Sequence, residues 1–495
     1  MGLEIDRDHF DDADFDAFAA RLRASLQALG ETLARPGFGV GAPTLGAELE
    51  VDLVDEEYRP LPLNRRVLKE ALDPRVTLEM SRFNLELNTA PVTLAGAPFS
   101  SLARELEEGL SAIRRAAARH GGDVATIGIL PTITADDLGR GAMTNAHRYR
   151  ALSAGIRRAR GAPFRVDIAG ATDRLTLEVE DTALEGANTS LQIHLRVAPA
   201  DFARVYNAAQ LATAPVLAVA ANSPLFLGRR LWDETRVALF RQAVDDRAVD
   251  ERWRPARASF GHGWVRAGAA ELFEESVALH EPLIPVVADE DPLECVRRGG
   301  VPRLAELRLH QGTVWRWNRA VYDASCGGHL RIELRALPSG PTVIDMMANA
   351  ALLVGATLAL APEADRLIAR MPFELARFNF GEAARRGLDA TLFWPAPAGA
   401  RAASPTTTSA GELVHALLPA ARDALVAHGV EAGEAERLLG IIDARLAASM
   451  SGARWQRRAL ARLGGDAGDA KVARALMHGY QALSRMGQPV HGWPT

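Results

Sequence analysis

Residues 44–54 read TLGAELEVDLV, and this stretch decides the fold. Apolar residues alternate with others along it, so that Glu48, Glu50 and Asp52 all fall on the same side. Successive side chains of a β-strand point to opposite faces, and such alternation is typical of a sheet that buries one face only. The stretch therefore predicts a strand with one apolar face and one acidic face.

Four further segments alternate in the same way and are predicted to be strands. They are RFNLELNTA at 82–90, SLQIHLRV at 190–197, AELRLHQ at 305–311 and HLRIELRAL at 329–337. A solvated outer face would explain the polar residues of any one strand. Across all five strands, however, these residues are dominated by Glu, His and Arg rather than by the Thr, Ser, Lys and Gln of an ordinary solvated face. We therefore expect the polar faces to meet on one concave surface.

The predicted surface combines carboxylates, imidazole and guanidinium groups. Carboxylates gathered in one place repel one another unless cations lie among them. Carboxylates with an imidazole suit Mg²⁺ or Mn²⁺, and the neighbouring arginines suit phosphate oxygens. A face with both acids and arginines has what metal-bridged phosphoryl transfer requires.

The remaining segments place helices around these strands. Helices are predicted at 13–34, near 98–120, at 201–221 and across 411–485, and further strands near 124–130 and 174–180. The apolar stretch 343–361 contains Asp345 and Asn349, which favours a buried helix over a membrane span. The fold class is therefore α+β: a curved, largely antiparallel sheet lining a concave active site, with helices packed on its outer face.

The domain prediction divides the 495 residues into three parts. A catalytic domain at 1–395 includes the N-terminal helix, a linker rich in Pro, Ala, Gly and Thr occupies 396–410, and a helical segment follows at 411–495.

Composition excludes several classes of function. A net charge of −5 and a pI near 6.2 argue against nucleic acid as the main partner. The first twenty residues carry six aspartates and no apolar run, unlike a secretory signal, and the two cysteines form no CxxC pair. These features favour a cytoplasmic protein. Because there is no GxxxxGK loop and the only lysines are Lys69 and Lys471, bound phosphate must be held by arginine, metal or backbone.

Five motifs in the chain resemble those of the glutamate–cysteine ligase 2 family, which belongs to the superfamily of glutamine synthetase and the guanidino kinases. They are GAELE at 46–50, TLEMSRFNLELN at 77–88, NTSLQIHL at 188–195, AANSPLFLG at 220–228 and HLRIELRALPS at 329–339. The matches span roughly residues 46–340 and follow the order of the family. Because members of that family differ in substrate, the resemblance indicates the family more strongly than the substrate.

The resemblance implies a set of site residues. Metal ligands are expected at Glu48, Glu50, Glu79, Glu86, His194 and Glu333. Arg335 is expected to contact the nucleotide or the transferring phosphate as a catalytic residue, with Gln192 and Arg331 as further nucleotide-binding candidates. For Arg331, pairing with a neighbouring acid is the favoured interpretation.

The resemblance also implies substrate-binding residues. Arg236 resembles the arginine that holds the acceptor carboxylate or its phosphate, and Asn222 and Ser223 are expected beside the substrate. The chain departs from the family's usual pattern in RRLWDETR at 229–236, so Arg229 or Arg230 could take the place of Arg236.

The activity that the resemblance implies is ATP-dependent amide bond formation with Mg²⁺, or alternatively Mn²⁺. The acid would be glutamate or another amino acid, the partners would be small molecules without nucleic acid or membrane, and a homo-oligomer is allowed. A metal-dependent hydrolase and an inactive binding protein on the same fold remain as alternatives. Trp315 and Trp317 are expected to be packing aromatics, with stacking on a purine as the second interpretation.

Overall fold

The computed structural model of the chain describes residues 5–396 and 404–494. Its strands are β1 Thr44–Val54, β2 Val76–Leu78, β3 Asn84–Asn88, β4 Val92–Thr93, β5 Asp123–Ala125, β6 Phe164–Ala169, β7 Arg174–Val179, β8 Ser190–Val197, β9 Leu225–Phe226, β10 Arg229–Arg230, β11 Asn318–Asp323, β12 His329–Pro338, β13 Thr391–Trp394 and β14 Thr406–Ser409. Its α-helices are α1 Asp12–Leu33, α2 Asn64–Ala71, α3 Pro98–Ala118, α4 His147–Arg160, α5 Phe202–Ala220, α6 Thr235–Ala243, α7 Ala269–Leu279, α8 Pro292–Arg297, α9 Ala305–Gln311, α10 Val343–Leu360, α11 Ala364–Ile368, α12 Phe373–Arg386, α13 Ala410–Ala427, α14 Ala432–Ala448, α15 Gly452–Leu463 and α16 Ala470–Arg485.

The main sheet is antiparallel and strongly curled, with strand order β11-β12-β8-β1-β3-β2. Strands β4 and β5 pair with the two ends of β1. The apolar side chains of β1, among them Leu45, Leu49 and Leu53, are fully buried against the helical layer, whose α3, α5 and α10 contact the sheet. The alternation of the sequence thus puts the apolar face under helices and leaves the polar face on the inside of the curl. The predicted α+β architecture is confirmed.

Most of the predicted helices are present with nearly the expected ends. The first, α1, begins at the N-cap Asp11, whose side chain accepts a hydrogen bond from the Asp14 backbone N–H. Asp14 in turn accepts from the Asp11 backbone N–H, so the two residues form a capping box. The helices predicted near 98–120, at 201–221 and across 411–485 correspond to α3, α5 and the series α13 to α16.

The apolar stretch around 343–361 forms α10, a core helix. By length and composition the segment Val343–Ile368 could cross a membrane, but 72% of its apolar window is buried inside the fold. Its two polar residues are bonded by Arg445 of α14, which donates to Asp345 Oδ1 at 2.7 Å and to Asn349 Oδ1 at 2.5 Å. Buried polar groups persist when they are paired in this way. The prediction of a buried helix is confirmed.

Three predictions about local structure need correction or completion. The segment AELRLHQ is the helix α9 and not a strand. Its residues are strong helix formers without a β-branched or aromatic side chain, so propensity outweighs the short alternation of Leu307 and Leu309. The strand predicted near 124–130 is limited to β5, and the strand predicted near 174–180 is β7, which pairs with β6 outside the main sheet.

The C-terminal helices share the core of the sheet domain. Helices α13 and α14 pack on α10, and Val414 and Leu438 belong to the same buried cluster as Leu49 of β1. Of the predicted linker, residues 397–403 lie outside the described residues, whereas β14 and the start of α13 occupy Thr406 to Ala410. The division of the chain into domains stays a prediction.

Candidate functional site

The concave face brings three predicted ligands together at the middle of the sheet. Glu48 of β1, His194 of β8 and Glu333 of β12 offer ligand atoms that all lie within 4.8 Å of one another. The register explains the meeting, since His194 is directly opposite Glu333 and also opposite Gly46, two residues before Glu48. We call Glu48, His194 and Glu333 the first triad.

His194 lies between two carboxylates. Its Nε2 lies 3.1 Å from Glu48 Oε1 and 3.7 Å from Glu333 Oε1. Among the described residues neither ring nitrogen has a hydrogen-bond partner, although the side chain is only 10% exposed. A buried imidazole between two carboxylates is the arrangement that a metal-binding histidine presents.

A second group of three acids lies beside the first triad. Glu50 of β1 is directly opposite Glu86 of β3, and Glu79 follows the end of β2. Their ligand atoms again lie within 4.8 Å of one another. We call Glu50, Glu79 and Glu86 the second triad. All six predicted metal ligands are therefore on one face of the sheet, in two adjoining groups.

Hydrogen bonds orient the carboxylates of the second triad. Glu50 accepts from the Ser190 backbone N–H at 2.7 Å and from Gln192 Nε2 at 3.1 Å. Glu86 accepts from Asn88 Nδ2 at 2.9 Å. These donors fix the orientation of each carboxylate and leave further oxygen lone pairs available for another ligand.

The second triad is electrostatically strained. Burial, followed by the charge of Glu86, raises the pKa of Glu50 to about 8 and that of Glu79 to about 8. Burial also raises the pKa of Glu86, with repulsion from Glu48 as the next cause. The pKa of the neighbouring Glu185 is raised to about 8 by burial and by Glu79. The positive charge near these four acids is too small to offset the repulsion between them. A divalent cation would relieve that repulsion.

The first triad differs because cations of the chain already accompany it. Burial acts to raise the pKa of Glu48, but the charge of His194 outweighs it and lowers this pKa to about 2. The pKa of Glu333 lies well below its usual range because Arg319 and Arg335 overcome the effect of burial. Both acids are therefore ionised and able to bind a cation at neutral pH.

Arg335 and Gln192 connect the two triads. The Arg335 guanidinium donates to Glu333 Oε1 at 3.0 Å and to Gln192 Oε1 at 2.5 Å. Gln192 in turn donates to Glu50, so a continuous chain of hydrogen bonds runs from the first triad to the second. Both residues were predicted to contact the nucleotide, and the structure places them between the two candidate metal positions.

A small cavity opens beside Arg335. It is lined by Glu50, Glu185, Asn188, Ser190, Arg236, Phe240, Trp315, Arg316, Trp317 and Arg335. Arg236 is anchored there, since its Nε donates to Glu234 Oε1 at 2.7 Å and its Nη2 to the Ala336 carbonyl at 2.8 Å. Arg229 and Arg230 are exposed on the β9–β10 hairpin, so the structure places Arg236 and not these two at the cavity.

Both tryptophans pack and line the same cavity. The Phe240 ring lies 5.9 Å from the Trp315 ring and 5.8 Å from the Trp317 ring, centroid to centroid. The prediction of packing aromatics is confirmed, and stacking of either ring on a purine stays a prediction.

Three predicted residues lie apart from the triads. Asn222 and Ser223 are fully buried; Asn222 donates to the Ser339 carbonyl at 2.8 Å, and Ser223 donates to Glu234 Oε1 at 2.7 Å. Arg331 pairs with Asp323 at 2.8 Å, as one of the two sequence interpretations expected. Substrate contact by the first two residues and nucleotide contact by Arg331 stay predictions.

The alternation-based prediction also included Glu306 and His310 as polar residues of a strand. Both are on α9, away from the sheet face. Glu306 accepts from the Ala288 backbone N–H at 2.9 Å, and His310 Nε2 lies 3.0 Å from the Ser276 carbonyl. Their contacts hold α9 against its neighbours.

Four charged residues of the site were not predicted from the sequence. Arg319 of β11 donates to both oxygens of Glu333, with Nη2 at 2.9 Å from Oε1. Glu185 and Arg316 line the cavity, and Arg148 of α4 is close enough to Glu79 and Glu86 for their charges to raise its pKa against the effect of burial. Only Arg319 had an available signal, because it directly faces Glu333 across the β11–β12 pair. The other three come from loops or a helix end, where no periodicity marks them.

The donor set fits a hard divalent cation. Carboxylate oxygens with one imidazole suit Mg²⁺ or Mn²⁺, and the absence of cysteine from both triads disfavours softer metals.

Comparisons with known proteins identify the family of this chain and a structure with the same fold. A model of the glutamate-cysteine ligase family 2 matches residues 44–474, from the start of β1 into α16. The structure of glutamate–cysteine ligase from Francisella tularensis in complex with AMP is similar, with a TM-score of 0.55 and 10% identity over 90% of this chain and 90% of that chain. A bifunctional glutathione synthetase from Pasteurella multocida gives a TM-score of 0.49 and 12% identity, over 95% of this chain and 55% of that chain. Among curated protein sequences none matches this chain. The Francisella enzyme therefore shares the fold.

Proposed function

Since the chain belongs to the glutamate–cysteine ligase family 2, we propose that it is an ATP- and Mg²⁺-dependent ligase that joins a carboxylate to an amine. The observation that carries the proposal is the pair of triads on one face, connected by Arg335 and Gln192. Two cation positions beside an arginine are suited to a triphosphate, whose oxygens need both metal ions and a guanidinium fork.

Amide formation from a free carboxylate requires activation, because hydroxide is a poor leaving group. A carboxylate oxygen of the acid would attack the γ-phosphorus of ATP, and the bond from that phosphorus to the ADP oxygen would break. The nitrogen of the amine would then attack the acyl carbon of the resulting acyl phosphate, phosphate would leave and the nitrogen would lose a proton. When bound, Mg²⁺ at the triads would offset the negative charge of the phosphates.

The residues of the chain would position the reactants rather than react covalently. Arg335 would hold the transferring phosphoryl group, since its guanidinium lies between the triads. Arg236 would hold the carboxylate of the acid substrate or its phosphate, because its two protein contacts fix it at the wall of the cavity. Pre-oriented charged donors of this kind need no rearrangement during the transfer, which is how electrostatic catalysis lowers a barrier.

Substrate identity belongs to the proposal as well. We propose an amino acid as the acid, with glutamate as the first candidate and cysteine as the first candidate amine, which would place the enzyme in glutathione biosynthesis. The AMP complex of the Francisella enzyme supports the use of an adenine nucleotide. Both cysteines are free thiols, as expected for a cytoplasmic enzyme.

A metal-dependent hydrolase is the competing function. The triads alone would serve it, but Arg319 and Arg335 flank Glu333 and have no evident use in metal-assisted hydrolysis. Thermal shift separates the two functions, because a ligase is stabilised by Mg²⁺ with ATP beyond Mg²⁺ alone.

The decisive experiment measures ADP release by the full chain with Mg²⁺ and ATP against pairs drawn from a panel of amino acids and amines. We expect release that requires both an acid and an amine, with a product whose mass equals their sum less one water. Release of ADP without any dependence on an amine, or cleavage of an amide without ATP, would show that the chain is not a ligase. The Arg335→Ala variant is the matched inactive control.

A further inference from the structure

A second cavity lies between α2 and α4 and has a volume of about 900 Å³. It shares no lining residue with the triads or with the cavity beside Arg335. Its charged lining residues include Asp8, Arg65, Arg66, Arg82, Arg150 and Arg157. Its volume falls within the range of small-molecule sites, which is about 300–1,000 Å³.

Positive charge in this cavity is largely uncompensated. Asp8 pairs with Arg150 and is the carboxylate among the lining residues. Arg65 donates to the carbonyl of Asn145, and Arg82 donates to a backbone carbonyl at 3.3 Å. A backbone carbonyl accepts a hydrogen bond from a guanidinium group but does not neutralise its positive charge. Four of the five guanidinium groups therefore keep their full charge.

Arg66 and Arg157 differ further from the others. In residues 5–396 and 404–494 the side chains of these two arginines have no hydrogen bond and no ion pair. Arg66 is exposed on α2 and Arg157 is partly buried on α4, on opposite walls of the cavity. Their ten N–H donors are thus free to receive a ligand.

This arrangement does not follow from an arginine-rich composition. Several exposed arginines elsewhere pair with an acid three residues earlier, as in Arg204–Asp201, Arg366–Glu363 and Arg377–Glu374, whereas single arginines unpaired within the described part of the chain, such as Arg104, do not line this cavity. The chain as a whole has a net charge of −5. A local excess of cations in an acidic protein repels itself and favours the binding of an anion.

We propose that this cavity binds a small anion with several phosphate groups, at a site separate from the proposed ligase site. A planar guanidinium donates two parallel hydrogen bonds to phosphate oxygens, and several arginines together match a ligand with several charges. A monocarboxylate would neutralise one of the four uncompensated charges, whereas a phosphate chain can meet all of them. The shared chemistry is the phosphate chain, whether it is inorganic or attached to a nucleoside.

The test uses the full chain in EDTA, where the triads hold no metal, with inorganic triphosphate as the probe in titration calorimetry at about 0.15 M salt. We expect binding to the wild type and a loss of affinity of about tenfold or more in the Arg66→Ala/Arg157→Ala variant, since charge-assisted hydrogen bonds are removed. The Arg366→Ala/Arg377→Ala variant also removes two exposed arginines and should bind as the wild type does. Thermal unfolding of both variants checks that each is folded.

Three comparisons decide the outcome. Equal affinity for ATP and inorganic triphosphate in EDTA supports the phosphate chain as the ligand, and tighter binding of ATP supports a nucleotide as its source. Citrate binding as tightly as triphosphate would overturn the phosphate class. Unchanged affinity in the Arg66→Ala/Arg157→Ala variant, or lost affinity in Arg335→Ala, would overturn the location. None of these results depends on ligase turnover, so this proposal and the proposed function can fail separately.

Discussion

Glu50 and Glu86 are directly opposite each other on β1 and β3, and the pKa of each is raised, first by burial and then by a neighbouring acid, which is Glu86 for Glu50 and Glu48 for Glu86. Like charges placed opposite each other destabilise a sheet. A protein that keeps such a pair in its core must have another use for it, and the binding of a cation is the use that the geometry supports.

Neutralising one of these acids should raise the stability of the metal-free protein and abolish its ATP turnover. Glu50→Gln and Glu86→Gln retain the shape of the side chain but remove a repelling charge. We expect each variant to stabilise the metal-free protein by about 1–3 kcal/mol near pH 8 and to lose ATP turnover, since a metal ligand is missing. Chemical denaturation in EDTA and an ADP-release assay measure the two effects. A Gln variant with unchanged turnover at low Mg²⁺ would contradict the metal assignment.

The same carboxyl groups should make stability depend on pH. Below their usual pKa of 4.5 they are protonated in both the folded and the unfolded chain and cost nothing. As the pH rises from there through about 8, the unfolded chain releases its protons first, so the metal-free protein loses stability across this window. The melting temperature in EDTA should therefore fall between about pH 4.5 and about pH 8, and the stabilisation by Mg²⁺ should grow over the same range. Glu50→Gln should flatten both trends; equal slopes in the variant and the wild type would count against this explanation.

Arg335 and Arg331 provide a matched pair on one strand face. Arg335 lies between the triads, whereas Arg331 pairs with Asp323. Lysine keeps the charge but cannot reproduce the planar fork. We expect Arg335→Lys to reduce turnover by about 100-fold or more, and Arg331→Lys to leave it within about threefold. Steady-state kinetics on both variants test this. If Arg335→Lys turned over ATP at nearly the wild-type rate, Arg335 would stabilise the fold rather than hold the transferring phosphoryl group.

Arg319 should be essential to stability in the absence of metal. It donates to both oxygens of Glu333, whose side chain is 2% exposed. Arg319→Met would remove one of the two guanidinium groups that pair with the buried Glu333 and leave Arg335 alone with it, so the metal-free protein should lose about 1–3 kcal/mol of stability. Mg²⁺ should restore part of this loss, because it would supply positive charge beside Glu333. Denaturation with and without Mg²⁺ measures both values. The absence of any destabilisation in EDTA would refute the dependence of Glu333 on Arg319.

The alternation predicted the sheet together with five of the six candidate ligands because one physical signal covers both, whereas Glu79 lies outside the alternation and was expected from the family resemblance alone. In β1, β3, β8 and β12 every second side chain points to the same face of the sheet. This alternation buries Leu and Ile on one face and aligns the charged residues on the other, namely Glu48, Glu86, His194 and Glu333. The signal failed for α9, where seven residues are too few to distinguish a strand from a helix. It also could not find Glu185 or Arg148, since loops and helix ends enter the site through tertiary packing without a pattern of their own.

The strand order has a consequence for how the protein acquires its site. Strand β1 pairs with β8, and β8 pairs with β12, so the first triad is assembled from strands far apart along the chain. Contacts between such distant segments form late and slowly during folding. No fragment that lacks β12 can hold the complete first triad. A cation bound at the first triad would accordingly report completed folding, whereas the second triad needs only residues 50–86.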